Sequence, residues 1–299
     1  MIVQPTPGVL GLFFALKGSI VRRIATRCLM IAILASLIVL IESRHPEYFL
    51  HVSATPFTLL GLSLSIFMNF RNNACYDRWW EGRKAWGMMI IEIRSFIRES
   101  AAISDQSLRE DILRSLCGFA HALNAKLRNE HEAQAASSWL SSDTLTSSHN
   151  VSDHILQHIG ATCSRLATDK MISDVRYLVL VERLNALTQV QGICERIKTT
   201  PIPFPYSLLL HRTIYLFCIL LPFAMAEPLG WMAPVFTAIV SYTFLGLDTI
   251  SNELEDPFGR EENDLPTDAM VRVIERDILG ALDCKNLPPL RQPINCILS

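Results

Sequence analysis

Leu62, Ile66 and Phe70 recur every four residues, a spacing that places them on one face of a helix. Such a stripe makes and breaks no bonds. Repeated by several copies around an axis, it would form stacked apolar rings, and a narrow hydrophobic constriction controls ion passage by expelling water. The same three side chains could equally face lipid or a neighbouring helix, because an apolar stripe on a membrane helix is ordinary. Asn69, Asn72 and Asn73 stand at the end of the stripe. Their amide dipoles suit a partly dehydrated ion, a helix cap or a bond between subunits. His154 and His158, four apart with Asp153 beside them, have a spacing that can hold zinc. No third ligand is evident, and an exposed helical face is the simpler reading, so no metal site is expected. The chain has no Gly-x4-Gly-Lys-Ser/Thr, no Gly-x-Gly-x-x-Gly after a strand, no His-Glu-x-x-His and no Gly-x-Ser-x-Gly. Neither an enzyme nor a resident cofactor is expected.

The elements that must position the stripe are membrane helices. Phe49 to Phe70 is 22 residues without an acid, lysine or arginine. At about 1.5 Å per residue this is enough to cross a hydrocarbon core of roughly 30 Å. It runs into Arg71, Arg78, Trp79, Trp80 and Arg83, a basic and aromatic boundary. Gly61, Ser63, Ser65 and Asn69 add small and polar positions suited to packing against other protein. Four spans are expected: about Ile24 to Ile41, Ala54 to Phe70, Arg212 to Ala226, and Pro228 to Leu247. The spans hold no central Asp, Glu or Lys of the kind that relays protons.

Basic residues set the orientation. Lys17, Arg22, Arg23 and Arg27 precede the first span, and Arg71, Arg78, Arg83 and Lys84 follow the second. Both termini and the long insertion are therefore expected in the cytoplasm of a cell whose inner membrane holds the spans. This divides the chain into 1–70 (N-terminal segment and spans one and two), 71–211 (a helical cytoplasmic region), 212–247 (spans three and four) and 248–299 (an acidic tail). In the insertion, helical spacing runs through Lys84 to Ile103, Leu108 to Arg128 and Met171 to Ile197. The Ser-rich stretch 137–148 reads as a loop. Pro288, Pro289 and Pro293 suggest an extended end that wraps a surface.

Composition agrees with a membrane protein carrying a large polar part. Half of the 299 residues are hydrophobic and 19% are charged, against about 25% charged in soluble domains. Net charge is only -2, which excludes a strong nucleic-acid field. The eight cysteines are scattered without a Cys-x-x-Cys pair and read as reduced thiols. The apolar start near Val9 to Leu16 has no cleavage site and no basic residue before it, so no signal peptide is expected.

Three runs carry a specific resemblance: RNNACYDRWWEGRKAWG (71–87), IPFPYSLLLHRTIYLF (202–217) and EDPFGREENDLP (255–266). Together and in this order they resemble the bacterial branch of the bestrophin family, over nearly the whole chain. The resemblance implies an all-α membrane protein assembled from copies of itself as a homopentameric ring, with one axial pore passing small monovalent ions, chloride or sodium. It places the hydrophobic neck at Leu62, Ile66 and Phe70, and a cytoplasmic constriction at Leu180. It also matches the calcium-clasp region of eukaryotic members to Glu261, Glu262, Asn263 and Asp264. A hard cation takes six to eight oxygens; three acids, an Asn and the adjacent Arg260 are a thinner set, and calcium dependence is not expected. A non-conducting scaffold or sensor is the alternative. Charge does not decide the ion's sign, since residues 71–212 hold 17 bases and 15 acids.

Overall fold

The computed structural model describes residues 1–3, 19–48, 53–140 and 150–299. Among these the chain is helical, with isolated β-bridges but no named strand. The helices are α1 (Val21–Arg44), α2 (Thr55–Ser100), α3 (Gln106–Leu127), α4 (Glu132–Ala136), α5 (Val151–Thr168), α6 (Asp174–Thr199), α7 (Phe204–Leu229), α8 (Ala233–Glu255) and α9 (Thr267–Ala281). They fall into two compact units, one of residues 5–79 and 201–255, the other of 1–4, 80–200 and 256–299. The unit boundaries lie at Trp79 and Glu255, where the sequence divisions were drawn at 70 and 247. The expected N-terminal apolar start, the first four residues of the apolar run from Phe49 and most of the Ser-rich stretch lie outside the described residues.

The first unit is built from α1, the beginning of α2, α7 and α8. In α1 the charged residues sit at the ends. Ile24, Ile31, Ala35, Ile38 and Val39 are buried, while Leu29, Met30, Ile33, Leu37 and Ile41 are about half exposed or more. A helix apolar on its outer face as well as its inner one is covered by lipid or by other protein rather than by water. Two helical stretches among the described residues are long and apolar enough to cross a membrane: Val21–Arg44 and Phe204–Glu255, the second being α7, a turn and α8. On α8, Ala233, Thr237, Ser241 and Leu245 are buried at a four-residue spacing, and small groups let helices approach closely. Ile214, Phe217 and Cys218 of α7 meet Leu64 and Met68 of α2 and Leu245 of α8 in one core. Gly61 permits the contact, since a Cβ there would sit 3.1 Å from the Phe217 ring.

Two boundaries differ from the sequence expectation. Pro228 lies inside the last turn of α7 and does not open the fourth span. The chain turns instead at Gly230, whose φ of 50° is open to glycine and costly for other residues. The expected second span, Ala54 to Phe70, has no helix of its own: it lies in the first part of a 46-residue helix, about 70 Å long at 1.5 Å per residue.

In the other unit, α3 is a core helix. Ile112, Leu113, Leu116, Phe119, Ala120 and Leu123 are buried, and Asp105 caps the start by accepting from the N–H groups of Ser107 (2.9 Å) and Leu108 (3.1 Å). Asn150 and Ser173 cap α5 and α6 in the same way. Trp86, Met89 and Ile93 on α2 are buried at the 3–4 spacing read from the sequence, and Phe96 is buried with them. Helix α9, which the sequence reading left inside an acidic tail, buries Met270, Val271, Ile274 and Ile278. Beyond it, residues 284–299 are non-helical.

Candidate ion pathway

Helix α2 hides only a narrow stripe of its first half. Leu64, Met68, Arg71 and Cys75 are buried, while Leu62, Ile66 and Phe70 are 61%, 49% and 60% exposed within one protomer. Asn69 and Asn73 are exposed on the same side of the helix end. Asn72 is half-buried and engaged, its Oδ1 accepting a very short hydrogen bond from the Ser251 hydroxyl of α8. The neck candidates are therefore available to an axis, to lipid or to another copy, and two of the three asparagines are as well.

Directly after Phe70 comes a charged cluster that the sequence reading treated as a membrane flank. The Arg71 side chain is 1% exposed. Its Nη1 donates to Asp248 Oδ1 at 2.6 Å and its Nη2 to Asn252 Oδ1 at 2.5 Å, with Glu255 at 3.6 Å. The Asp248 carboxylate, also 1% exposed, turns its other oxygen to His211 Nδ1 of α7 at 2.8 Å. Glu255 in turn accepts from Arg78 Nε at its carbonyl (3.1 Å) and from the Ile202 N–H at its carboxylate (3.2 Å). Arg23 on α1 pairs with Glu253 at 2.9 Å. Burying a charge is costly unless it is paired and hydrogen-bonded, and here α2, α7 and α8 supply the pairing. Asp248, Asn252, Glu253 and Glu255 thus belong to α8 and not to a solvated tail.

Leu180 is corrected by its surroundings. It is 1% exposed, in the apolar face that α6 turns inward with Leu184 and Leu187. A side chain enclosed in its own protomer cannot line an axial passage. The large apolar groups that this part of α6 leaves outside are Val175 (70%) and Leu178 (65%). Only the resemblance suggested Leu180; its spacing with Leu184 and Leu187 is that of core packing.

In the clasp region, Asp264 serves its own turn. Its Oδ2 accepts from the Glu261 N–H at 2.7 Å, and the Asp264 N–H donates to the Glu261 carbonyl at 3.2 Å. The side chain is 3% exposed and packs so closely on Gly259 that a Cβ there would stand 2.4 Å from Oδ2. Burial pushes this carboxyl above its ordinary pKa. Arg260 is held by Glu130 at 2.6 Å. Glu262 is exposed and Asn263 half-buried. His158 meets Asp111 of α3 at 3.3 Å, and Asp153 donates its N–H to the capping Asn150. No group of three or more His, Cys, Asp or Glu among the described residues is arranged to hold a metal ion. The eight cysteines are all free. Burial raises the Cys163 thiol to about 11 and Cys194 to about 12, which keeps them unreactive.

The family model for the bacterial and fungal bestrophin protein matches residues 1–280. The chain belongs to the bestrophin family. This bestrophin is 41% identical to a voltage-dependent anion channel-forming protein of Mesorhizobium japonicum, over 98% of the chain and 95% of that protein. It is 38% identical to one of Salmonella typhimurium, over 98% of each. Among solved structures it is similar to a bacterial bestrophin homologue from Klebsiella pneumoniae, with a TM-score of 0.85 and 35% identity over 88% of this chain and 100% of that one. The three motif runs (71–87, 202–217 and 255–266) sit on α2, on the approach to α7 and its first half, and on the segment after α8. They supply the Arg71, His211 and Glu255 of the buried cluster.

Proposed function

We propose that this bestrophin is a passive anion channel, assembled as a homopentamer in the bacterial inner membrane with both termini cytoplasmic. The observation that carries the reading is the apolar face of α2. Leu62, Ile66 and Phe70 are large, repeat every four residues and stay half exposed or more in the protomer, on a helix whose opposite stripe is fully packed. Copies of this face around an axis make three apolar rings, in which an ion sheds hydration to pass. Asn69 and Asn73, exposed at the end of the stripe, offer amide N–H groups to an anion leaving the neck; Asn72 serves the contact with α8. The names of the relatives, anion channel-forming proteins, favour anions over sodium. The second constriction is not assigned to Leu180, and Glu261, Glu262, Asn263 and Asp264 are read as a structural turn.

The purified protein in planar bilayers under a KCl gradient tests this. The reversal potential is expected near the chloride equilibrium potential, without ATP or substrate. A reversal at the potassium potential would make the channel a cation pathway, and no current at all would favour a scaffold.

A further inference from the structure

Arg71 follows Phe70 in sequence, so on a helix the two side chains diverge by about 100° and cannot turn independently. Whatever fixes the direction of Arg71 also fixes that of Phe70, and through the four-residue repeat that of Ile66 and Leu62. The rest of the buried stripe, Leu64, Met68 and Cys75, makes apolar contacts, which are non-directional. The Arg71 guanidinium is directional: two nitrogens on two fixed acceptors of α8, Asp248 and Asn252, with both charged partners 1% exposed. A buried ion pair is weak evidence for stability, and its best-attested use is to fix register. One member of the cluster differs from the rest. The His211 side chain is 42% exposed, yet its Nδ1 lies 2.8 Å from the buried Asp248. It connects solvent to the pair that holds α2.

We propose that Arg71, Asp248 and His211 are positioning residues that hold α2 in the rotation presenting Leu62, Ile66 and Phe70 to the axis, with His211 the member that responds to pH. The inference rests on the channel reading above.

His211 touches Asp248 on α8 and the Tyr215 ring on its own helix, 5.3 Å away; behind Asp248 stand Arg71 on α2, Glu255 at the end of α8 and Arg78 at the Glu255 carbonyl. Protonation of the imidazole puts a cation against the buried Asp248 carboxylate and makes the Nδ1–H bond to it charge-assisted. The acidic form therefore tightens the hold on α2 and favours the narrow neck. Conduction is lower at pH 6 than at pH 8.

Single-channel recordings of the full-length protein at pH 8 and pH 6 test this. The wild type is expected to lose open probability several-fold at pH 6 on one side of the membrane. His211→Gln is expected to keep the oligomer and show a flat profile. Arg71→Met with Asp248→Leu, which removes both charges together, is expected to abolish the profile and to blunt the effect of Phe70→Ala. A conducting wild type whose pH profile survives His211→Gln, or a double variant with unchanged profile and unchanged response at Phe70, overturns the positioning role while leaving the channel intact. A wild type that conducts nothing overturns the channel reading instead. Should the double variant fail to assemble, the half-exposed His211 substitution still decides.

Discussion

Asp268 shows how a single side chain is spent on the architecture. Burial alone would raise its carboxyl. The Arg128 guanidinium, which donates a very short hydrogen bond to Oδ1, together with Asn124 Nδ2 at 2.8 Å and Arg260 at 3.6 Å, holds it below its ordinary value instead. A carboxyl depressed in the folded state adds stability that is complete above the unfolded pKa of about 3.9 and is lost as pH falls through the folded value. Asp268→Asn is therefore expected to lower the thermal midpoint at pH 7. It should also shrink the wild-type loss of stability on the acid side, so that the two curves converge at low pH. Midpoints of the detergent-solubilised protein between pH 7 and 3 check this, and parallel curves would contradict it. None of these partners was legible in the sequence: Arg128 and Asn124 lie 140 and 144 positions from Asp268, and spacing along one helix says nothing of such pairs. The same holds for Arg71 and Asp248, 177 apart. A basic residue at the end of an apolar run is usually a membrane flank, and only the packed helices reveal that this one points inward.

At the scale of elements the sequence was readable where one rule acted alone. The 3–4 spacing located α3, α6 and the buried face of α2 in both units, because a helix buries what its period brings to one side. It could not say which periodic residues are packed and which stay exposed; Leu180 and Ile66 carry the same pattern with opposite exposure. The break between the last two spans was placed at Glu227, where a charge interrupts the hydropathy, but the helix runs on through Pro228 to Leu229 and Gly230 makes the turn. The 46-residue α2 was read as a span and a separate helix, since Arg71 and Asp77 interrupt hydropathy without interrupting helical geometry. Gly61 marks where α2 and α7 touch. Gly61→Val is expected to push the Phe217 ring away and cost about 1–3 kcal/mol by overpacking. A lowered thermal midpoint reads this, with partial recovery when Phe217 is shortened to Leu; an unchanged midpoint would mean that the two helices do not hold each other.

For the whole molecule, the family assignment and the exposed face of α2 meet in one claim: the stripe Leu62, Ile66 and Phe70 bounds the ion path. A single protomer encloses no described axial passage, so this claim is about copies assembled in a closed ring. Two physical outcomes separate it from a lipid-facing or packing stripe. Side chains that line a neck can be shortened without opening cavities between helices, and the wider passage holds water more readily. Side chains that pack against protein leave voids costing about 2–5 kcal/mol each, on soluble-protein precedent, when cut to alanine. The most direct measurement is the single-channel current of the triple variant Leu62→Ala, Ile66→Ala, Phe70→Ala, recorded after native mass spectrometry has established its oligomeric state. An intact oligomer with larger unitary current or higher open probability than the wild type is the predicted result. An intact oligomer with unchanged current, or a variant that dissociates or aggregates, would contradict it.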